Sequence, residues 1–381
     1  MGVDPPKRSA ASRRGKQQTA GNNQSLEAVL RGPSHKLNTD ELTELFGQVD
    51  RNRVAHLTDM LTKYIGQNLP VAIEKRGRLT SYRVNPYVLF TCAKVMKMSD
   101  FSRLAEFIFN TKLYMGLETS FGKQIEAAFV GQYPLNQNVV SRWVSPPEKD
   151  AEAAALKGLP REEKAKKRTG SVWREIDRSC VVGDRRYMVS IKSGPNCIND
   201  TQVSGMVNAF EKNLAHWVAA TKKSYPKVKG LDVAIGITYG TDKTTNNKEN
   251  QFLIKMQDKG FEQEDPKSKP GVLIDTKTRS VRLYRRIGQD FWSMVGNPKS
   301  PKDAKFVFLE VLLALAKSLT DVVGNANLET KINLRLAALS QAFQNMMFPQ
   351  KSLPEWVRQD FDDREMFWFT TAIGAFYDEG V

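Results

Sequence analysis

A glycine–aspartate pair at positions 183 and 184 separates two runs in which apolar and polar residues alternate, 172–182 and 185–192. A two-residue loop of this kind closes an antiparallel hairpin, and its shortness leaves one register. Val182 must then face Arg185, and each step back along the first run is matched by a step forward along the second. Asp177 is expected opposite Ser190, and Glu175 opposite Lys192. Opposed residues share a face of the sheet and side chains alternate with period two, so these four project from one side. Ile176, Val189 and Ile191 are left for the other side, which suits a core.

Directly opposed Cβ atoms lie about 5 Å apart, so this register gathers two carboxylates and a lysine. A solvated sheet face also carries such pairs as plain salt bridges. The residues beyond Lys192 weigh against that reading, because Ser193-Gly194-Pro195-Asn196-Cys197-Ile198-Asn199-Asp200 is a turn dense in small and amide side chains. Such a turn can approach a phosphate backbone or a base edge closely, with Asn196 and Asn199 as candidate DNA contacts. Asp177 can hold Mg²⁺, and Lys192 can orient or deprotonate a water and stabilise charge on a phosphorane.

Composition narrows the chemistry further. Lys and Arg total 57 against 42 Asp and Glu, a formal net charge of +15, and nucleic acid is the leading anionic partner for such an excess. Cys92, Cys180 and Cys197 share no C-x-x-C spacing, and His35, His56 and His216 are scattered. A disulfide framework, a zinc site and a Ser/His/Asp triad are therefore disfavoured, which leaves hydrolysis to carboxylates and lysine. The first 24 residues are polar and basic with no apolar stretch behind them, unlike a signal peptide. The most apolar run, 306–316, contains Glu310 and is too short to span a bilayer. A cytoplasmic, intracellular protein with no membrane partner is expected.

Along the chain, apolar residues recur at three- and four-residue spacing over 39–69 and 86–109, and again over 117–130 with Glu126 beside the buried stripe, which predicts helices. Residues 145–170, punctuated by Pro146, Pro147, Gly158 and Pro160, read as a long surface loop. The hairpin is followed by an expected helix over 201–223, with Glu211 beside its apolar stripe. An apolar strand over 232–239 comes next, then a polar loop up to Asn250 that offers Lys243 and Lys248 to DNA. Strand candidates at 271–275 and 280–285 complete a mixed α/β middle. Apolar faces at 303–322, 329–346 and 365–377 suit a helical cap or a subunit interface. The expected division is a flexible basic tail (1–24), an N-terminal helical region (25–100), a core (101–300) and a C-terminal helical region (301–381). Gly116 to Lys123 has the wrong spacing for a phosphate-binding loop, and no G-x-G-x-x-G opens a helix after a strand.

The stretch Arg174-Glu175-Ile176-Asp177, followed by Tyr187-Met188-Val189-Ser190-Ile191-Lys192-Ser193-Gly194-Pro195-Asn196 and Asn199-Asp200-Thr201-Gln202, resembles the active-site region of type II restriction endonucleases of the PD-(D/E)XK superfamily. Within it the sequence is most similar to the group that cuts interrupted GC-rich palindromes of the GGNCC kind. The resemblance covers roughly residues 100–300 and is most specific at 174–202. It implies an α/β fold with a restriction-endonuclease-like core, that is, a central mixed sheet flanked by helices. The N- and C-terminal helical regions, expected from apolar spacing and outside the resemblance, would flank that core. It also implies a homodimer straddling double-stranded DNA and a Mg²⁺-dependent cut of both strands. Asp177 takes the place of the motif's aspartate and Lys192 that of its lysine. Ser190 stands where a Glu or Asp is usual, and serine is a poor metal ligand. A second carboxylate is expected from elsewhere: Glu126 first, on the helix preceding the sheet where the superfamily often places an acid, then Glu175, Glu211 or Asp200. Asp200 is the expected cap of the following helix. The competing class is a DNA-binding or DNA-repair factor that keeps this fold without cutting, and a third reading is an enzyme of RNA or single strands.

Overall fold

A computed structural model describes residues 47–75, 95–96, 101–124, 129–133, 141–194, 197–265, 271–324 and 328–346. The chain divides into two compact units, 1–48 and 49–381, and the elements below belong to the second. Six strands form one sheet: β1 (Arg178–Val182), β2 (Arg185–Lys192), β3 (Gly230–Ile237), β4 (Phe261–Gln263), β5 (Leu273–Asp275) and β6 (Val281–Ile287). Their order is β1-β2-β3-β6-β5-β4. β2, β3 and β6 run parallel at the centre, and β1, β5 and β4 each pair antiparallel with their neighbours. The sheet is mixed, as expected.

Helices α1 (Arg51–Lys75), α2 (Phe101–Gln124), α3 (Pro147–Ala155) and α4 (Arg161–Thr169) precede it. Helix α5 (Asp200–Ser224) carries the chain from β2 to the parallel β3, and α6 (Lys248–Gln257) follows. Helices α7 (Gln289–Gly296), α8 (Val307–Gly324) and α9 (Leu328–Met346) come after the last strand. No helix among the described residues is long and apolar enough to cross a membrane.

Alternation along the strands divides the core in two. One face presents Met188, Leu231, Val233, Ile235 and Leu283 to the apolar stripes of α5 (Val203, Val207, Phe210, Trp217) and α6 (Phe252, Leu253, Met256). The other presents Cys180, Tyr187, Val189, Ala234 and Tyr284 to α7, α8, α1 and α2. The C-terminal helices α8 and α9 pack with α1 and α2 on this face, while 365–377 lies outside the described residues. Gly236 lets α7 approach β3, because a Cβ there would sit 2.4 Å from the Phe291 ring. The outer edge of β1 is closed by the 141–145 segment, where Val144 and Ser179 exchange backbone hydrogen bonds of 2.9 and 2.7 Å.

The hairpin has the expected register from Val182 and Arg185 to Arg178 and Val189. It stops there, short of the predicted 172–182 strand. Residues 171–176 form successive turns, with Arg174 N–H donating to Ser171 and Ile176 N–H to Trp173. Trp173 and Ile176, three apart, enter the α5-side core together, a spacing that a turn satisfies and an extended strand does not. Ile176 therefore packs on the face opposite Val189 and Ile191, contrary to expectation.

Other expectations also need correcting. The 145–170 segment is helical: Pro147 and Arg161 open α3 and α4, acidic residues fill their first turns, and Lys166, Lys167 and Arg168 close α4. Of the prolines read as breakers, Pro147 is the first residue of α3, where its missing N–H costs nothing, and Pro146 and Pro160 are the cap residues just before α3 and α4. Helix α2 runs unbroken through 110–116, where two separate helices were expected. Helix α6 and strand β4 were not anticipated.

Helix α3 has a structural task. Arg186, fully buried on β2, donates to both carboxylate oxygens of Glu148 at 3.0 and 2.8 Å and to Thr221 of α5. Its guanidinium also lies over the Trp173 and Tyr225 rings. Burial pushes the Glu148 carboxyl up, but hydrogen bonds from Arg186 and Ser224 outweigh it and hold the group below its ordinary value of 4.5. Removing this partner strands a buried cation, so Glu148→Ala is expected to cost about 3 kcal/mol in urea unfolding. Because the folded value is the lower one, the stabilisation from this group is complete above pH 4.5 and fades as pH falls through the folded value. The wild type should therefore lose more stability than Glu148→Ala on acidification below that point.

Candidate active site

The carboxyl edge of the three parallel strands is where open α/β sheets place their ligands, and Lys192 ends β2 at that edge. The backbone there is tied together: Thr238 N–H donates to Lys192 O, Thr238 Oγ1 to Ser193 O, and Asn246 Nδ2 to Ile198 O. At the same edge, just before β1 begins, the Asp177 N–H turns to Val189 O, and its Oδ2 accepts from Ile191 N at 2.6 Å. The carboxylate takes the ladder position that a backbone carbonyl would otherwise fill. A break of this kind re-aims a side chain.

Burial pushes the Asp177 carboxyl above the ordinary carboxylate range, against the Ile191 N–H and the Lys192 and Lys149 ammoniums, which pull it down. Lys149, on α3, donates to Ile176 O at 2.6 Å and lies 4.0 Å from Asp177 Oδ1. Sequence reasoning missed this lysine because it had been placed in a loop. Glu175 does not face Lys192 across a ladder, yet both line one cleft of about 630 Å³ between the 169–175 segment and α5. Lys192 makes no ion pair among the described residues, and Glu175 lies 3.8 Å from Arg174 Nε.

The remaining candidates separate. Ser190 is fully buried on β2, and its hydroxyl has no hydrogen-bond partner among the described residues; it lies outside the residues lining the cleft. Glu126 and Asn196 lie outside the described residues. Glu211 pairs with Lys259 at 3.0 Å, and Asp200 pairs with Lys248. The cap of α5 is Asn199, one residue before the expected Asp200. Its Oδ1 accepts from Gln202 N at 2.9 Å, while Gln202 Oε1 accepts from Asn199 N at 2.9 Å. Lys243 is exposed on the loop after β3. That loop is pinned from beneath: Arg285 on β6 pairs with Asp242 at 2.6 Å and with the fully buried Glu249 at 3.2 Å, and Thr245 donates to Glu249 at 2.8 Å.

No group of three or more His, Cys, Asp and Glu side chains is gathered for a metal ion among the described residues. The cleft offers Glu175 and Lys192, and Asp177 lies outside its lining but close enough for the charges of both to act on its carboxyl; hard oxygen donors and a cation are suited to phosphate chemistry. Residues 162–266 match the model of a family described as type II restriction endonuclease EcoO109I. That stretch begins within α4, ends after β4, and contains the hairpin, α5 and β3. It is narrower than the 100–300 resemblance and includes its most specific part. No curated protein matches the chain.

The cap assignment is open to measurement. Asn199→Ala should lower stability by about 1 kcal/mol in urea unfolding, and Asn199→Asp, an equally good cap, should restore it.

Proposed function

We propose that this chain is a type II restriction endonuclease, homodimeric, that binds double-stranded DNA and hydrolyses one phosphodiester bond on each strand with Mg²⁺. The reading rests on one observation above the others: Lys192 and Glu175 share a basic cleft beside Asp177, within the segment similar to the EcoO109I family. Mg²⁺ is commonly held by one or two carboxylates, with waters and substrate phosphate completing its ligands. Asp177 and Glu175 fit that need, and Glu126 is the alternative second acid. When bound, such an ion polarises a phosphate and lowers the pKa of a coordinated water.

The residues of the chain supply the rest. Ile191 N–H fixes the orientation of the Asp177 carboxylate. Lys192, with no competing salt bridge, orients the attacking water and neutralises charge that develops on the phosphorane. Ser190 supports the strand from within the core and is not a metal ligand. DNA contacts are assigned to Asn196, Asn199, Lys243 and Lys248. Lys243 is the freest of these, since Lys248 is already paired and the Asn199 carbonyl is used in the cap. A short palindrome of the interrupted GC-rich GGNCC kind is the proposed target class.

Plasmid and genomic DNA incubated with the protein and Mg²⁺ should yield fragments with defined ends, and sequencing those ends reads out the site. EDTA should stop the reaction. Asp177→Ala and Lys192→Ala should each slow it by at least about 100-fold. Between Glu175→Gln and Glu126→Gln, the variant with the larger loss identifies the second acid. Intact plasmid under every divalent ion, with salt-sensitive binding retained, would instead mark a DNA-binding factor that does not cut. Digestion of RNA or single strands alone would mark the third class.

A further inference from the structure

The cleft continues well past Lys192. Its far wall is one face of α5, from Thr201 and Gln202 through Gly205 and Ala209 to Lys212 and Asn213. At 1.5 Å per residue this wall is about 18 Å long, room for several nucleotides at a rise of about 3.4 Å each along one strand. Gly205 and Ala209 at i and i+4 keep it open, since neither carries a side chain beyond Cβ.

Two side chains at its far end make no polar contact with any described residue. Asn213 is only 8% exposed, opens onto the cleft, and makes no side-chain hydrogen bond to any described residue. Its amide atoms are not sealed from solvent, so they are open to hydrogen bonding from within the cleft. Lys212 beside it makes no ion pair among the described residues. The opposite wall adds Arg174, whose guanidinium lies 3.8 Å from Glu175. Lys192, Lys212 and Arg174 thus face one carboxylate, and the groove is net cationic.

We infer that this α5 groove is the track for one DNA strand beyond the scissile phosphate, with Lys212 and Arg174 pairing to its phosphates and the Asn213 amide hydrogen-bonding the strand at the far end. The inference rests on the proposed function for its substrate. It adds positioning residues about three helical turns from the helix start that no resemblance assigned. An amide that both donates and accepts suits a nucleotide better than it suits a bare phosphate. Occupancy of the groove by the strand would satisfy it.

The test measures binding of a fluorescent duplex containing the cleavage site in Ca²⁺ over a series of salt concentrations, and cleavage of the same duplex in Mg²⁺. Lys212→Ala, an exposed change, should reduce the slope of log affinity against log salt by about one, as expected for the loss of one phosphate contact. Asn213→Asp keeps the side-chain shape and places a negative charge in the track. It should raise KM at least about tenfold with a smaller change in kcat, and Asn213→Ala should show the same direction. Urea unfolding of each variant identifies any loss that comes from misfolding, in which case Lys212→Ala alone decides. If the wild type cuts DNA and these variants keep its salt slope and KM, the track assignment is wrong while the nuclease reading stands. If the wild type cuts nothing but the variants still weaken salt-dependent DNA binding, the nuclease reading falls and the track remains.

Discussion

The arrangement depends on one topological constraint: β2 pairs antiparallel with β1 on one side and parallel with β3 on the other. A parallel neighbour cannot be reached by a tight turn, so the chain must cross the sheet, and it does so through α5. That crossover places the α5 face over β2 and leaves Lys192 at the carboxyl edge of the strand. The antiparallel partner brings Asp177 back to the same edge. Had β3 followed β2 as a hairpin, neither the cleft nor its far wall would exist.

Where the constraint is local, the residues announce it. The Gly183-Asp184 turn sets a register that the structure keeps down to Arg178 and Val189, and the amphipathic run of α5 and the apolar run of β3 lie within a few residues of where their patterns place them. Local pattern fails where tertiary contacts decide. Trp173 and Ile176 leave the strand because both are drawn into the core with Trp217 and Met188. The prolines of 146–160 look like breakers in isolation, and only the docking of Glu148 on Arg186 shows why a helix forms there. Helix α6 hides because its buried face includes Glu249, a charge that becomes tolerable only once Arg285 is beside it.

The same division runs through the site. Asp177, Lys192 and the absence of an acid at Ser190 were legible from spacing and resemblance. The proximity of Lys149 was not, since no periodicity links residue 149 to residue 177. Glu175 was expected near Lys192, but it shares the cleft through a pair of turns and not across a ladder. Asn199 and Lys248 look free in the sequence, whereas folding engages one in capping α5 and the other with Asp200. Buried or half-buried ion pairs serve two ends in this basic chain: Arg285 with Glu249 pins the loop after β3, and Arg185 with Asp232 links β2 to β3.

The closure of β1 by Val144 reaches beyond the monomer. With that margin already paired and the opposite margin formed by β4, a strand of only three residues, little exposed main chain is left to template a continuous intermolecular sheet. At the β1 margin, contact with another molecule has to be made by side chains and not by an added strand, a mode that carries more geometric information than main-chain pairing.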